Sequence, residues 1–285
     1  MKEKRKPQFG EIDAWGLTHP GKVRDTNQDH FFAGGLTSGV RVINTSLDFE
    51  PEDVAYLERS ASLGVVADGV GSSYGGEHAA RIAVDALVRE VCRSFHHAEV
   101  AEGTDPDVFS RLLQEAALSC HESLLTRAEE EPDKGSFSTA LTLFLGLWPH
   151  AYILQVGDTR AYIYQRGELT QITRDQTWAQ ELIDQGTLSQ TQAEASRWAN
   201  VLSSSIGGKE TTPVVTRIER DWGAVLLFCS DGLTKHVSDA RIEELIVEMT
   251  GARQLAETLL YEALDDGGTD NITMIVGRTV RRQEG

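Results

Sequence analysis

Aspartates next to short apolar runs recur four times along the 285-residue chain. Asp68, Asp158 and Asp231 each follow such a run, and Asp270 lies in a glycine-rich turn directly before one. Carboxylates fixed at the ends of rigid strands are good ligands for hard divalent cations. The four acids are separated by long stretches of chain, so we expect them to converge on one edge of a sheet structure and to form a metal site there.

The dipeptide of Asp68 and Gly69 is the centre of this pattern. The apolar run 63–66 before it is typical of a buried strand. The two glycines that follow, Gly69 and Gly71, predict that the strand stops at Asp68 and that the chain then turns sharply. The turn would place the carbonyl oxygen of Gly69 close to whatever Asp68 binds. Because an Asp-Gly pair after a strand is also an ordinary turn, it is the recurrence of the pattern that favours a metal.

The composition excludes several classes of protein. The net charge of −17 argues against nucleic acid as a partner, because a polyphosphate requires a basic surface. The chain has no apolar run of transmembrane length, and residues 1–7 lack the apolar stretch of a signal peptide. Three cysteines without a C-x-x-C pair, Cys92, Cys120 and Cys229, predict buried free thiols in a reducing compartment. We therefore expect a soluble, cytoplasmic protein with no membrane insertion.

Helical and strand patterns occur in blocks along the chain. Apolar residues at helical spacing predict two consecutive amphipathic helices, 77–95 and 108–130, that pack as an antiparallel pair on a sheet. Two further helices are predicted at 239–250 and 253–264. The predicted strands are 9–17, 31–32, 137–147, 151–156, 161–165, 168–172, 225–230 and 272–278. Blocks without strict alternation of strand and helix indicate an α+β fold with antiparallel sheets.

We predict a single domain over 1–285, with its core at about 9–280, because no repeat or low-complexity linker divides the chain. Residues 34–62 hold an acidic patch and are expected to form a long excursion between two strands. The polar segment 175–208 has short helical patches and two tryptophans. We expect it to form a mobile flap. Trp178 and Trp198 are expected either to contact the substrate or, as the slightly favoured alternative, to pack the flap onto the body of the domain.

Seven motifs, in order along nearly the whole chain, resemble the bacterial form of the metal-dependent protein serine/threonine phosphatases of the 2C type. They are RDTNQD (24–29), VADGVG (66–71), GSFSTALT (135–142), VGDTRAYIYQRGELTQITRDQT (156–177), NVLSSSIGG (200–208), FCSDGLTKHVSD (228–239) and GGTDNIT (267–273). Each motif alone is weak, but the ordered set is highly specific. The resemblance implies a four-layer α-β-β-α sandwich, in which helices flank two antiparallel sheets, with a metal site at one edge.

The resemblance also implies a set of metal ligands. Asp68 matches the acid that bridges two metal ions, and Gly69 supplies its carbonyl oxygen. Asp231 and Asp270 match the acids that each complete one metal. Oxygen ligands without histidine or thiolate favour Mn²⁺ or Mg²⁺ over zinc. Two such ions activate a water and clamp the phosphoryl group for in-line attack.

Three further positions match functional residues of the family. Arg24 matches the arginine that grips the substrate phosphate, which suits a guanidinium fork better than an ammonium. Asp29 matches an acid that supports the metal site through water, and Asp158 matches a ligand of a third metal ion. We therefore expect Arg24 to contact the substrate and not the metals.

Several positions depart from the family pattern. Val70 and Ser73 stand where eukaryotic and bacterial relatives carry a histidine, so the proton for the leaving group must come from water, or the group leaves less assisted. Gln28 stands where many relatives have glutamate, and Gln176 stands where the pattern usually has histidine. Six histidines have no ligand-like spacing, and ordinary surface or helix roles are expected for them. They are His78, His96, His97, His121, His150 and His236.

The favoured function is a protein phosphatase for phosphoserine and phosphothreonine that uses a metal-activated water. One alternative is a hydrolase of a small phosphorylated metabolite, which the ligands alone do not distinguish. The other is a non-catalytic, phospho-binding regulator of the same fold, whose signature would be the loss of a metal acid; none is lost here. The resemblance implies phosphoproteins as partners, including a cognate serine/threonine kinase or its substrates, and we expect a monomer.

Overall fold

The computed structural model describes residues 5–37, 59–71, 73–101, 105 and 107–281. Most of the predicted excursion at 34–62, with its acidic patch, lies outside these residues. The strands are β1 Ile12–His19, β2 His30–Thr37, β3 Arg59–Val70, β4 Ser138–Leu147, β5 His150–Val156, β6 Arg160–Gln165, β7 Glu168–Gln171, β8 Val214–Glu219, β9 Val225–Cys229 and β10 Ile272–Thr279. The helices are α1 Ser73–Ala101, α2 Val108–Glu130, α3 Trp178–Asp184, α4 Gln190–Glu194, α5 Asp231–Thr234, α6 Asp239–Glu248 and α7 Ala252–Asp265.

The strands of the described residues form two five-stranded sheets in which all neighbouring strands are antiparallel. One sheet has the order β1-β10-β9-β6-β7, and the other has the order β2-β3-β4-β5-β8. Three apolar clusters separate four layers: α1 and α2 pack on the second sheet, the two sheets pack on each other, and α5, α6 and α7 pack on the first sheet. The predicted α-β-β-α sandwich is confirmed.

Strands in the middle of this sandwich are buried on both faces. In β3, Val65 and Ala67 face the helices, whereas Val66 faces the other sheet. In β9, Leu227 faces the helices and Leu226 faces the other sheet. Successive side chains of a strand point to opposite faces, so a strand covered on both sides has a continuous apolar run. This packing explains why the runs before Asp68 and Asp231 are recognisable as strands in the sequence.

The prediction that β3 stops at Asp68 is wrong. Gly69 and Val70 continue the strand and pair with β4. The chain turns only at Gly71, whose φ of +102° lies in the left-handed region that favours glycine. Asp68 is therefore held inside a hydrogen-bonded ladder, with paired residues on both sides of it along the strand. A glycine after a strand-end acid indicates a turn only where no neighbouring strand continues the pairing.

The bounds from β4 onward agree closely with prediction, apart from β8 and the short helix α5, which were not predicted. Earlier in the chain, β1 is shifted from 9–17 to Ile12–His19, and β2 and β3 are longer than the predicted 31–32 and 63–66. Helix α2 matches the predicted range, whereas α1 begins earlier and ends later than the predicted 77–95. Strand β8 was not predicted, because its residues alternate between exposed and partly buried at the edge of a sheet and leave a weak apolar pattern. Among the described helices, none combines the length and the apolar character needed to cross a membrane.

One prediction about side-chain burial is wrong. Cys120 and Cys229 are buried free thiols as predicted, but Cys92 is exposed, because it follows the inward-facing Val91 on α1 and faces solvent. Trp178 and Trp198, in the segment 175–208, are 48% and 37% exposed, so about half or more of each side chain is covered. Whether these rings pack the segment onto the domain or contact a substrate stays a prediction.

Candidate metal centre

Five aspartates lie where strand ends meet at one edge of the sandwich. Asp29 precedes β2, Asp68 lies near the end of β3, Asp158 links β5 to β6, Asp231 follows β9, and Asp270 precedes β10. In antiparallel sheets the start of one strand lies beside the end of its neighbour, so these positions share an edge. The fold thereby brings together, from both sheets, every aspartate that the sequence indicates as a site residue.

The charges of these aspartates act on one another. Burial raises the pKa of Asp68 well above its usual range, and the charges of the other four aspartates raise it further. Burial also raises the pKa of Asp29 to about 7 and the pKa of Asp158 to about 8. A buried group of like charges is stable only if it is protonated or if cations lie beside it. The cluster is therefore suited to binding cations.

Asp29 is buried, and a serine hydroxyl orients its carboxylate. Ser230 Oγ donates a hydrogen bond of 2.8 Å to Asp29 Oδ2, and it accepts one of 3.0 Å from the Thr273 N–H. Ser230 directly precedes Asp231, so this contact also sets the position of Asp29 relative to a second acid. Asp29 Oδ1 and Asp231 Oδ1 are buried oxygens without a hydrogen-bond partner among the described residues. Each therefore has an unused lone pair for a cation.

Two cations contact Asp270. Arg24 Nε lies 2.8 Å from Asp270 Oδ1, and Arg24 Nη2 lies 2.9 Å from Asp270 Oδ2. Lys235 Nζ lies 2.8 Å from Asp270 Oδ2 and 2.6 Å from Asp231 Oδ2. Burial acts to raise the pKa of Asp270, but the hydrogen bonds from Arg24 and Lys235 outweigh it and lower the pKa. The Lys235 ammonium contacts both carboxylates, so Asp231 and Asp270 face a common cation position. The resemblance instead implies that each of these two acids completes a different metal ion.

Asn271 holds the loop that carries Arg24. Its side-chain amide donates to the carbonyl oxygens of Pro20 and Thr26, at 3.0 and 2.9 Å. Its Oδ1 accepts from the Gln28 N–H at 2.9 Å. This role was not predicted from the sequence. The available signal was an asparagine directly after the last aspartate of the cluster, because an amide side chain both donates and accepts hydrogen bonds.

His236 holds the loop that carries Asp270. The Thr269 N–H donates to His236 Nε2 at 2.9 Å, so Nδ1 carries the proton and donates to Asp266 Oδ2 at 2.9 Å. The His236 side chain is only 6% exposed. The prediction of an ordinary surface or helix role is wrong for His236. Its partners lie about thirty residues further along the chain, where no local pattern indicates them.

Gly69 lies where β3 passes close to the start of α1. A Cβ at this position would lie 2.3 Å from the carbonyl oxygen of Gly76 and 2.9 Å from that of Gln28. No side chain fits there, so glycine allows α1 to approach the strand that carries Asp68. The structure thus gives Gly69 a packing role, and the use of its carbonyl oxygen as a metal ligand stays a prediction.

Asp158 lies in a turn that is tied to the flap. Gln176 Oε1 accepts from the Gly157 N–H at 2.8 Å, and the Gln176 N–H donates to the Gly157 carbonyl oxygen at 3.0 Å. Arg160 forms a bidentate ion pair with Asp175, with N–O distances of 2.9 and 2.7 Å. Gln176, which replaces a histidine of the family pattern, therefore fastens the first residues of the flap to the turn that carries Asp158.

A polar cleft separates the flap from the acid cluster. Its volume is about 880 Å³, and it is lined by Asp158, Asp231 and Lys235 together with residues of the flap such as Gln180 and Asn200. A cleft of this size has room for a side chain presented by another molecule. The acids that face the cleft are therefore accessible to a substrate.

The donor atoms of the cluster suit Mn²⁺ or Mg²⁺. They are carboxylate oxygens, with no described histidine or cysteine contacting them, and two of these oxygens lack a protein partner. No three histidine, cysteine, aspartate or glutamate side chains of the described ranges already stand in ligand geometry. Lys235 and Arg24 instead hold two of the acids, Asp231 and Asp270. The residues fit a divalent cation that takes over these contacts.

The chain matches known proteins over most of its length. The model of the protein phosphatase 2C family matches residues 53–266. The serine/threonine protein phosphatase PstP of Mycobacterium tuberculosis is 32% identical over 229 residues, which are 80% of this chain but only 42% of that relative. The serine/threonine phosphatase stp of Listeria innocua is 27% identical over 269 residues, 94% of this chain and 96% of that protein. A crystal structure of the PstP catalytic domain in complex with two manganese ions has 26% sequence identity and a TM-score of 0.71, and the match covers 95% of this chain and 99% of that chain.

The family match divides the site residues into two groups. Asp68, Asp158 and Asp231 lie inside residues 53–266, whereas Arg24, Asp29 and Asp270 lie outside them. The fold joins the two groups, because β1, β2 and β10 complete the same two sheets that carry the matched residues. The family model covers more than half of the chain, and the chain therefore belongs to the protein phosphatase 2C family.

Proposed function

We propose that this protein is a metal-dependent phosphatase that hydrolyses phosphoserine and phosphothreonine in other proteins. The observation that carries this proposal is the meeting of five aspartates from both sheets beside the Arg24 guanidinium and a polar cleft. All the metal acids of the family pattern are in place, which argues against a non-catalytic regulator. The relatives named serine/threonine phosphatases support the choice of substrate class.

Two divalent ions are proposed to bind at the cluster, held by Asp68, Asp231, Asp270 and the carbonyl oxygen of Gly69. Bound there, the ions would activate a water and neutralise charge on the phosphoryl group. Mn²⁺ is proposed as one of the metals because the donors are hard oxygens and the related PstP structure holds two manganese ions. Mg²⁺ prefers the same donors and is the other candidate.

Arg24 is proposed to orient the substrate phosphate. Its side chain is 52% exposed, and its Nε and Nη2 already bind the two oxygens of a planar carboxylate at Asp270. The same fork matches two oxygens of a phosphate group. Asp29 is proposed to support the ions from the interior, where Ser230 orients its carboxylate. Val70 supplies no proton at the histidine position of the family, so we propose that the leaving group takes its proton from water.

Asp158 is proposed to bind a third ion beside the pair. Asp158 and Asp231 line the same polar cleft, and the charge of Asp231 contributes to the raised pKa of Asp158. The third ion would have few protein ligands, and we expect it to bind more weakly than the other two. Asp158 lies in the turn that Gln176 fastens to residues 175–208, so binding of the third ion would be coupled to the position of the proposed flap.

We further propose that residues 1–285 act as one phosphatase domain, as a monomer, in the cytoplasm. Free cysteines among the described residues fit a reducing compartment. The partners proposed are phosphoproteins, including a cognate serine/threonine kinase or the substrates of that kinase. The net charge of −17 argues against nucleic acid.

Phosphate release by the purified protein tests the proposal. The substrates are a phosphoserine peptide, a phosphothreonine peptide and glycerol phosphate, each with Mn²⁺, with Mg²⁺ and with excess chelator. We expect hydrolysis of both peptides with metal and none with chelator. Faster turnover of glycerol phosphate than of either peptide would favour a metabolite hydrolase. Mn²⁺ binding without turnover of any substrate would favour a phospho-binding regulator.

A further inference from the structure

Lys235 lies between two acids of the metal cluster. Its Nζ is 2.6 Å from Asp231 Oδ2 and 2.8 Å from Asp270 Oδ2. Lys235 is four residues after Asp231, and its N–H donates to the Asp231 carbonyl oxygen at 2.9 Å. Its side chain therefore reaches back along one helical turn to the acid at the start of α5. From there it bridges to the loop before β10.

The backbone that carries Lys235 is fixed in place. A Cβ on Gly232 would lie 1.9 Å from the carbonyl oxygen of Asn271, so α5 packs directly on the loop before β10. Leu233 and Val237, on either side of Lys235 along the chain, are buried in the apolar core. The backbone at Lys235 cannot move away from the acids without unpacking this core. Only the four-carbon side chain is free to change its direction.

The ammonium contacts oxygens that a metal ion would need. Lys235 binds one oxygen of Asp231 and one oxygen of Asp270, and both carboxylates are proposed metal ligands. Two cations at one position repel each other strongly in a partly buried site. A divalent ion that takes Asp231 Oδ2 and Asp270 Oδ2 must therefore displace Nζ. The side chain of Lys235 is 28% exposed, which leaves it a path into the cleft.

Arg24 does not perform the same task. It contacts Asp270 through both oxygens, and no contact joins it to Asp231. Its side chain is also more exposed than that of Lys235, 52% against 28%. Among the described residues, Lys235 is therefore the cation that directly contacts both Asp231 and Asp270.

We propose that Lys235 is a built-in competitor of the metal ion. Its ammonium holds Asp231 and Asp270 together when divalent metal is scarce, and a metal ion displaces it. Lys235 thus stabilises the metal-free protein and raises the metal concentration at which the site fills. This inference rests on the proposed function, because it takes the acid cluster to be the metal site. The inference adds a regulatory property to that function. With Lys235 present, the site would bind metal, and the enzyme would become active, only at higher metal concentrations than with the acids alone.

Lys235→Met tests the competition, because methionine removes the charge and keeps an unbranched side chain. Calorimetry on the chelator-treated chain gives the dissociation constant for Mn²⁺, and thermal unfolding in chelator gives the stability of the metal-free protein. We expect the variant to bind its first Mn²⁺ about tenfold more tightly, as loss of a charged hydrogen bond would allow, and to unfold at a lower temperature in chelator. Lys235→Arg keeps the charge and should bind Mn²⁺ no more tightly than the wild type.

Lys209→Met is the matched control, since it removes the same charge from an exposed position. It should leave both measurements unchanged. Lys235→Gln provides a second uncharged variant if Lys235→Met does not fold. Unchanged or weaker Mn²⁺ binding by the folded uncharged variant would overturn the proposal, because it would show that Lys235 does not compete or that it orients the ligands. Hydrolysis of a phosphopeptide by the wild type at saturating Mn²⁺ is measured separately, so its absence would overturn the proposed function and leave the binding result standing.

Discussion

Arg24 and Asp270 are joined by a bidentate ion pair across 246 residues of the chain, with N–O distances of 2.8 and 2.9 Å. The pair places the residue proposed for phosphate binding directly against a proposed metal ligand. The sequence predicts contact of Arg24 with the substrate and not with the metals. In the structure it contacts Asp270, a proposed metal ligand, so the two proposed roles lie side by side and must be separated by experiment.

Arg24→Ala should raise KM for a phosphopeptide, because the hydrogen bonds to the phosphate are lost. The cost in kcat/KM should be about 1.5–3 kcal/mol, the range for hydrogen bonds to charged groups. Arg24→Lys keeps the charge without the fork and should recover only part of the loss. Mn²⁺ affinity, measured by calorimetry, should change little, since His236 still fastens the loop of Asp270. A collapse of metal affinity together with the rise in KM would make Arg24 part of the metal site.

Asp231→Asn should abolish Mn²⁺ binding and phosphate release while the fold survives. Burial raises the pKa of Asp231, so the neutral amide removes a charge that is costly to bury, and this offsets the lost ion pair with Lys235. We expect the melting temperature in chelator to change by less than about 4 °C, which corresponds to about 1 kcal/mol in a chain of this size. A much lower melting temperature, lost together with activity, would assign Asp231 a structural role instead.

Asp158→Ala should keep two tightly bound Mn²⁺ and lose most activity on a phosphopeptide. The turn itself should survive, because Gln176 rather than Asp158 fastens it through the Gly157 N–H. Calorimetric stoichiometry and single-turnover kinetics measure the two effects. Gln176→Ala is the matched comparison and should lower the melting temperature. Normal turnover with only a lowered melting temperature in Asp158→Ala would show that this aspartate merely caps the turn.

The metal-free protein should lose stability as the pH rises toward 8. Asp29 and Asp158 have pKa values of about 7 and about 8, raised by burial from an ordinary 3.8. The folded state therefore holds these protons more tightly than the unfolded state does. Their contribution to stability is complete below pH 3.8 and is lost as the pH rises through 7 and 8. Thermal unfolding in chelator should show this fall, and a melting temperature that rises over the same interval would contradict it.

Metal binding should release protons over the same interval of pH. Mn²⁺ replaces the protons of Asp29 and Asp158, so calorimetry near pH 7 in two buffers of different ionisation enthalpy should give different heats. Asp29→Asn is the comparison variant, and it should release fewer protons per ion bound. Equal heats in both buffers would show that these carboxylates are already ionised before the metal arrives.

Four aspartates of the cluster were predictable because their signals are local, whereas Asp29 was indicated only by the family resemblance. Each of the four lies beside an apolar run that forms a strand, as at Asp68 after residues 63–66. Lys235 was not predictable in the same way. Four residues after Asp231 on a helix, it resembles an ordinary surface ion pair, and its second partner, Asp270, lies 35 residues further along. Side chains that act through distant partners leave no periodic pattern in the sequence.

The parts of the fold that were predictable are likewise those with a local signal in the sequence. Buried central strands and amphipathic helices are strongly periodic, so α2 and the central strands appear near their predicted bounds. Strand β8 forms at a sheet edge by pairing with β5. Strand β3 continues past Gly69 because Gly69 and Val70 pair with β4. Pairing is a tertiary property, and a glycine or a half-exposed run does not indicate it.

Strand β1 has β10 as its neighbour in the sheet, and the two pair from Ile12 opposite Thr279 to His19 opposite Ile272. All the other strands lie between β1 and β10 along the chain, so a growing chain makes β1 first and completes this pair last. Asp270 directly precedes β10 and emerges with it. The closing of the sheet and the completion of the acid cluster therefore coincide. A nascent chain interrupted before this point has neither the closed sheet nor the complete acid cluster.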